Sequence, residues 1–334
     1  MSMYATQAAA ATSAVTIHSP TSYSWFGAHV DAVTPQALSA LSADAARGYL
    51  VYSLQQQLYA DFYCTGAPTP HAEVPRGFAA PGELRFVEEL SAANTGRGSW
   101  ESGWTVRGHD GGRIVVSRGG LDVWAGPDEC RPADGGGVAP GEPVRVRVPK
   151  ELTKMSPGFY VALGDREPEW DAGVVRFYWN LSEPAAVPFM TAATGALNDA
   201  RLPFRLKVVN DRSRFDRCDS AVVYARKDDY ADVARVLAGI RAALEPVLRP
   251  VAPALTKPLA AGVSFAEDPA TGDSYGLHRC RVLADAIVAA TEIGARTVDE
   301  RVAVIARRFA EEGLDLDRPY LNDPTAGDYA LPLA

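Results

Sequence analysis

Two short segments of the chain combine the residue types that handle phosphate. The segment "RLPFRLKVVND" places Arg205 and Lys207 in a strand-like run, and "SYGLHRCR" places His278 beside Arg279 at the start of a helical pattern. Lysine and histidine serve as bases and acids in enzymes, and arginine holds phosphate oxygens through charged hydrogen bonds. These residue types therefore indicate an anion site with acid–base chemistry, and phosphate is the anion that suits them.

Alternation along two strand-like runs assigns polar side chains to common faces. In "VVRFYWN", Arg176, Tyr178 and Asn180 share one face, while the Val, Phe and Trp side chains share the other. Arg205 and Lys207 share a face of "FRLKVV" in the same way. A single strand arginine usually lies at the surface, but two such faces in otherwise apolar strands favour a shared cleft, and both interpretations stay open.

The segment around His278 reads as a capped helix. Asp273 or Ser274 is placed to cap its N-terminus, and a helical wheel puts His278 opposite the apolar face, so we expect it to be exposed or to point into a site. A helix N-terminus next to an arginine suits phosphate. Arg217 precedes a further strand and could reach the same cleft, whereas Lys257 in "LTKPL" is a second candidate base.

Bulk composition limits the class of protein. The chain has 334 residues and a net charge of −8, which argues against nucleic acid or an anionic membrane as the main partner. Its four cysteines are scattered, with no spacing typical of a metal site or of a disulfide framework. We see neither a secretory signal nor an apolar run of membrane-spanning length, so we expect a cytoplasmic protein.

Periodicity predicts an α+β fold with a mixed sheet and flanking helices in the C-terminal half. Residues 1–30 are rich in Ala, Ser and Thr, and we expect them to be poorly ordered. Residues 31–150 combine helical segments, including one from Thr34 to Tyr63, with short strands broken by Gly and Pro. Residues 151–334 alternate strands and helices and form the predicted α+β domain.

Five segments in a fixed order resemble a known family: "VRFYWNL", "LPFRLKVVND", "RCDSAVVY", "ALTKPLAAGVSFAEDP" and "SYGLHRCRVLADAI". Together, over about residues 150–312, they look like the HopA-type effector family. That family includes type III effectors of plant pathogens and bacterial enzymes encoded beside peptide-modifying kinases, in class V lanthipeptide and thioamitide pathways. The first 150 residues match no family in this way.

The biosynthetic branch of that family implies a phosphoserine/phosphothreonine lyase. A separate kinase phosphorylates a precursor peptide, a cyclase is a further expected partner, and the lyase eliminates phosphate without a metal or organic cofactor. From residue type and placement we assign the base to Lys207, flanked by Arg205 and Arg176, and assistance of the leaving phosphate to His278. Tyr178 or Asn180 would donate to the substrate carbonyl. The candidates for substrate and phosphate binding are Arg176, Arg205, Arg217, Arg279, Asn180 and Lys257.

A rival interpretation is a non-catalytic module that holds a phosphopeptide or a protein partner in the same basic cleft. The presence of lysine, histidine, tyrosine and several arginines favours catalysis over that alternative. Neither the precursor peptide nor the lanthipeptide or thioamitide pathway follows from the sequence.

Overall fold

A computed structural model describes residues 1–34, 41–70, 81–166, 170, 173–269, 271–325 and 327–330. Over these residues the chain forms seven α-helices and fifteen β-strands in three sheets. The predicted α+β class is confirmed.

The helices are α1 (Met3–Ser13), α2 (Ala43–Leu58), α3 (Pro81–Ala93), α4 (Ala186–Asp199), α5 (Tyr230–Leu244), α6 (Tyr275–Glu292) and α7 (Val298–Glu311). The strands are β1 (Val15–Ser19), β2 (Ser22–Trp25), β3 (Ala28–Asp31), β4 (Ser99–Asp110), β5 (Arg113–Arg118), β6 (Leu121–Ala125), β7 (Cys130–Pro132), β8 (Pro143–Val148), β9 (Glu151–Leu152), β10 (Phe159–Leu163), β11 (Val174–Trp179), β12 (Phe204–Val209), β13 (Ala221–Arg226), β14 (Lys257–Ala260) and β15 (Val263–Glu267).

The N-terminal residues are ordered, contrary to the expectation for residues 1–30. They form α1 and the three-stranded sheet β1-β2-β3. Alanine has the highest helix propensity, the Ser2 side chain caps α1 by accepting from the Ala5 amide, and Ala8 and Ala11 are fully buried against the main core. Their burial shows that the alanine-rich composition belongs to a closely packed helix.

The segment predicted as a helix from Thr34 to Tyr63 contains α2 followed by a π-helix at Tyr59–Tyr63. Residues 35–40, including Leu38 of the predicted apolar face, lie outside the described residues. The predicted strands between residues 99 and 148 form a five-stranded sheet in the order β6-β5-β4-β8-β7 with its own small core.

The seven-stranded sheet that carries the polar faces has the order β14-β15-β11-β13-β12-β10-β9. Every neighbouring pair in it is antiparallel, so the predicted mixed sheet was wrong. The predicted strand–helix–strand unit does exist, because β11 and β12 run in the same direction and α4 connects them. However, β13 lies between these two strands and pairs with both, so no parallel neighbours result.

The two faces of this sheet are divided as alternation predicted. On one face, Trp179 packs against Phe189 of α4 with ring centroids 4.8 Å apart, and Phe177 stacks on Tyr230 of α5 at 5.4 Å. The opposite face carries Arg176. This division leaves part of the polar face open to solvent.

The polar face, which carries Arg176, is partly covered by the start of α6. Ser274 caps this helix by accepting a hydrogen bond from the Leu277 amide at 3.3 Å. Gly276 follows directly, and a Cβ at this position would lie 2.5 Å from Cε1 of Tyr63. Only glycine therefore allows α6 to approach the π-helix this closely.

Candidate functional site

Three adjacent strands place a row of polar side chains across the open face of the sheet. Tyr224 of β13 is paired with Arg176 of β11 on one side and with Arg205 of β12 on the other. In the next row Lys207 is paired with Val161 of β10. Because directly paired residues point to the same face, the strand register itself brings these side chains together.

These side chains line an open cavity of about 440 Å³, here called the cationic cleft. The polar residues that line it are Ser156, Arg176, Arg205, Lys207, Tyr224, Asp268, Asp273 and Ser274. Ser274 is the N-cap of α6, so the positive end of the α6 dipole lies at the wall of the cleft. Of the two polar faces predicted to share a cleft, Arg176, Arg205 and Lys207 line this cavity together.

The three cations of the cleft differ in their partners. The Nε of Arg176 donates to Oδ2 of Asp268 at 2.7 Å, and Arg176 is only 7% exposed. Arg205 instead lies over the ring of Trp170 at 5.6 Å, and among the described residues it forms no ion pair. Its Nε is buried without a hydrogen-bond partner. Arg176 is thus held in place, whereas Arg205 is available to an incoming anion.

Lys207 lies over the ring of Phe159 at 4.3 Å and near that of Tyr224 at 5.8 Å. Its ammonium group donates no hydrogen bond to any residue of the described ranges. The same Phe159 ring also contacts Arg217, whose guanidinium lies 5.2 Å from the ring centroid. Lys207 is therefore held by aromatic surfaces, with its nitrogen left to the cleft.

Arg217 is committed to a buried ion pair next to the cleft and does not line it. Its Nε and Nη2 donate to both carboxylate oxygens of Asp219, and Nη2 also reaches the Tyr59 hydroxyl at 3.0 Å. Burial raises the pKa of Asp219, but the Arg217 and Lys207 cations outweigh it, and the pKa lies below its usual range. Asp219 is thus an anion whose principal cation is Arg217.

Tyr178 and Asn180, which we predicted to donate to the substrate carbonyl, are buried on the part of the sheet that other segments cover. The Tyr178 ring meets Tyr63 at 6.4 Å and Tyr275 at 6.3 Å, and burial raises its pKa. The Asn180 amide donates to the Val251 carbonyl at 2.8 Å. Neither side chain lines the cationic cleft.

Arg279 is a structural residue and not a free phosphate ligand. It is fully buried, and it donates to the Pro319 carbonyl at 2.7 Å, to the Leu321 carbonyl at 3.0 Å and to Oδ1 of Asn322 at 3.0 Å. Because these acceptors belong to the segment after α7, Arg279 ties that segment to α6. It does not line the cleft.

The expectation that His278 is exposed or points into the site was wrong. It is 7% exposed, and its Nδ1 accepts from Nη1 of Arg279 at 2.9 Å. Burial and the adjacent Arg279 cation lower its pKa to about 4. His278 is therefore neutral at pH 7 and lies outside the cleft lining.

Lys257, the second candidate base, also lies outside the cleft. It is on the edge strand β14, where its ammonium pairs with Asp328 and lies 5.5 Å from the Tyr320 ring. Of the two candidate lysines, only Lys207 lines the cavity.

Sequence reasoning missed Tyr224, Asp268 and Trp170, all of which line the cleft. The sequence contained a signal for Tyr224: in the strand-like run "AVVYAR", alternation assigns it to one face of the strand together with Val222. Asp268 and Trp170 lie in connecting segments, where no periodicity assigns a direction.

Within the described ranges, no helix is long and apolar enough to cross a membrane. The same residues contain no group of three or more His, Cys, Asp or Glu side chains arranged to hold a metal ion.

Comparison with known proteins agrees with the resemblance seen in the sequence. A model of the HopA1 effector protein family matches residues 151–321, which confirms the HopA-type family, while the biosynthetic branch stays a prediction. No curated protein sequence matches the chain.

Two solved structures are similar, both described as effector proteins of Pseudomonas syringae. The one from pv. tomato strain DC3000 is 17% identical, covers 80% of this chain and 90% of its own, and has a TM-score of 0.47. The one from pv. syringae strain 61 is 15% identical, covers 82% of this chain and 96% of its own, and has a TM-score of 0.43.

Proposed function

The chain belongs to the HopA1 effector protein family, and from that premise we propose that it is a phosphoserine/phosphothreonine lyase. Its substrate would be a ribosomal precursor peptide that a separate kinase has phosphorylated, with a cyclase as a further partner. Elimination of phosphate would leave dehydroalanine or dehydrobutyrine.

One observation carries the proposal: Lys207 and Arg205 face the same open cleft, and within the described ranges neither has a carboxylate partner. A base that removes a weakly acidic Cα proton must be neutral before it reacts. Arg205 and Arg176 lie on the same face of the sheet as Lys207 and line the same cavity. Arg205 also offers its guanidinium to an anion, so base and phosphate ligand are adjacent.

The proposed step uses the residues of the cleft in distinct roles. The Lys207 amine takes the Cα proton, the C–H electron pair forms the Cα–Cβ double bond, and the Cβ–O bond breaks. Phosphate leaves as an anion held by Arg205 and by the N-terminus of α6. We assign the Tyr224 hydroxyl, which donates to no described residue, to the carbonyl oxygen on which charge develops.

His278 has no part in this step, because it is buried outside the cleft lining and its pKa is about 4. The leaving group is stabilised by cations instead, and the proton removed by Lys207 later passes to phosphate or solvent. This revises the acid role predicted from the sequence.

The test combines a phosphorylated Ser/Thr peptide with the purified protein. We expect release of inorganic phosphate and a peptide of the dehydrated mass, with no reaction of the unphosphorylated peptide. Lys207→Ala and Lys207→Arg should each lower turnover by about 10²- to 10⁴-fold, since a guanidinium does not become neutral near pH 7. Lys257→Ala is the matched control and should turn over normally. Hydrolysis to the free hydroxyl would refute the lyase assignment.

The alternative is a non-catalytic module that binds a phosphopeptide. One observation favours it: neither His278 nor Tyr178, two of the three predicted catalytic groups, lines the cleft. In the same assay this module would bind the phosphopeptide through Arg205 and leave its mass unchanged.

A further inference from the structure

A second cavity adjoins the cationic cleft on the side of the five-stranded sheet. It has a volume of about 190 Å³ and shares two lining residues, Trp170 and Arg205, with the cleft. A cavity that holds a single water has a volume of only about 10–15 Å³, so this cavity has room for a side chain. Because Trp170 and Arg205 line both cavities, the two cavities lie side by side.

The walls of this second cavity combine apolar surface with positive charge. Val148 of β8 and Phe204 of β12 supply apolar surface from the two sheets. Arg166 and Arg205 supply the charge, and neither forms an ion pair with any carboxylate in the described part of the chain. Arg166 is steadied by donating from Nη1 to the Arg201 carbonyl at 3.0 Å.

Glu101 is the acidic residue among the described residues that line the cavity. Its carboxylate accepts from Nη2 of Arg118 at 2.6 Å, so its charge is already matched. The Nε of Arg205 remains buried without a partner. The cavity is therefore a pocket of mixed polar and apolar lining, with two guanidinium groups and no free anion of its own among the described lining residues.

We propose that this cavity is a subsite for an acidic side chain, Glu or Asp, of the same peptide whose phosphorylated residue occupies the cleft. The inference rests on the proposed function only in placing the phosphorylated residue there. A carboxylate matches the planar donors of arginine, and its methylene stem matches the apolar walls. Since Arg205 borders both cavities, the acidic residue must be a near neighbour of the phosphorylated residue in the peptide.

The experiment uses a set of phosphoserine peptides in which Glu, Gln or Leu is moved through three positions on each side of the phosphoserine. Binding to the full chain is measured by fluorescence anisotropy and turnover by mass spectrometry. At one position we expect Glu to lower Kd and KM about tenfold relative to Gln, with a smaller change in kcat. Arg166→Gln should remove that preference and leave the affinity for the Gln peptide unchanged.

Arg113→Gln is the matched control, since Arg113 is an exposed arginine on β5, and this variant should keep the preference. The subsite is refuted if no position favours Glu, if Leu is preferred over Glu, or if the preference survives Arg166→Gln. Turnover without any Glu preference would refute the subsite alone. Binding with a Glu preference but no elimination would refute the lyase alone, and failure of every phosphopeptide to bind would refute both.

Discussion

Replacing Arg279 tests whether this residue stabilises the fold or binds phosphate. Its guanidinium is fully buried and donates to the carbonyls of Pro319 and Leu321 and to the side chain of Asn322. Charged hydrogen bonds contribute about 1.5–3 kcal/mol each, and burial opposes this gain, as the lowered pKa of Arg279 indicates. Arg279→Met should therefore lower the free energy of unfolding by about 3–5 kcal/mol.

For a chain of 334 residues this loss corresponds to a fall in Tm of about 4–7 °C. Differential scanning calorimetry of wild type, Arg279→Met and Arg279→Lys measures it. Arg279→Lys should recover little, because one ammonium does not span three separated acceptors. Arg281→Met is the control on the same helix: its single ion pair to Glu312 at 3.3 Å is surface-exposed, so the change should stay within about 1 kcal/mol.

Phosphopeptide affinity measured well below Tm separates the two roles of Arg279. A structural residue leaves this affinity unchanged once the variant is folded. If Arg279→Met unfolds like wild type but no longer binds phosphopeptide, then Arg279 is the phosphate ligand predicted from the sequence, and our description of the site is wrong.

Three further predictions concern the cleft and its surroundings. Tyr224→Phe should slow elimination by about 10²- to 10³-fold with little change in phosphopeptide Kd, as expected for loss of a donor to developing charge; unchanged kcat would remove Tyr224 from the step. Arg205→Gln should weaken phosphopeptide binding measured by anisotropy by about 10- to 100-fold, and wild-type affinity would contradict its role as phosphate ligand. His278 has a pKa of about 4 when folded against about 6.5 when unfolded, so the folded state binds fewer protons and stability is lost as pH falls from about 6.5 to 4. This loss, about 2–3 kcal/mol by linkage, should appear in urea titrations of wild type and be missing from those of His278→Gln; identical pH dependence in both proteins would contradict the burial of His278.

The sequence by itself determined the strands and the direction of their side chains. Alternation has a period of two and depends only on neighbouring residues, which is why the sequence pattern alone assigns Arg176 to the polar face of its strand and Arg205 and Lys207 to that of theirs. The same local signals predict α4, α5, α6 and α7. The cap at Ser274 also follows from residue type.

Local sequence patterns gave wrong predictions where a segment distant in sequence determines whether a side chain is buried. A helical wheel of α6 shows that His278 lies off the apolar face. It does not show that residues after α7 accept hydrogen bonds from Arg279, or that Arg279 in turn donates to the buried His278 ring. Composition suggested disorder for residues 1–30, because it cannot show that Ala8 and Ala11 find a close partner surface.

Strand pairing was likewise decided only by the tertiary structure. The alternation of β11, α4 and β12 is typical of parallel pairing, and only the insertion of β13 between the two strands makes the sheet antiparallel. That insertion also places Tyr224 between Arg176 and Arg205. Residue types and local spacing thus determined which side chains could bind phosphate, whereas the long-range order of strands and the segment after α7 decided which of them meet, because contacts distant in sequence leave no periodic signal in it.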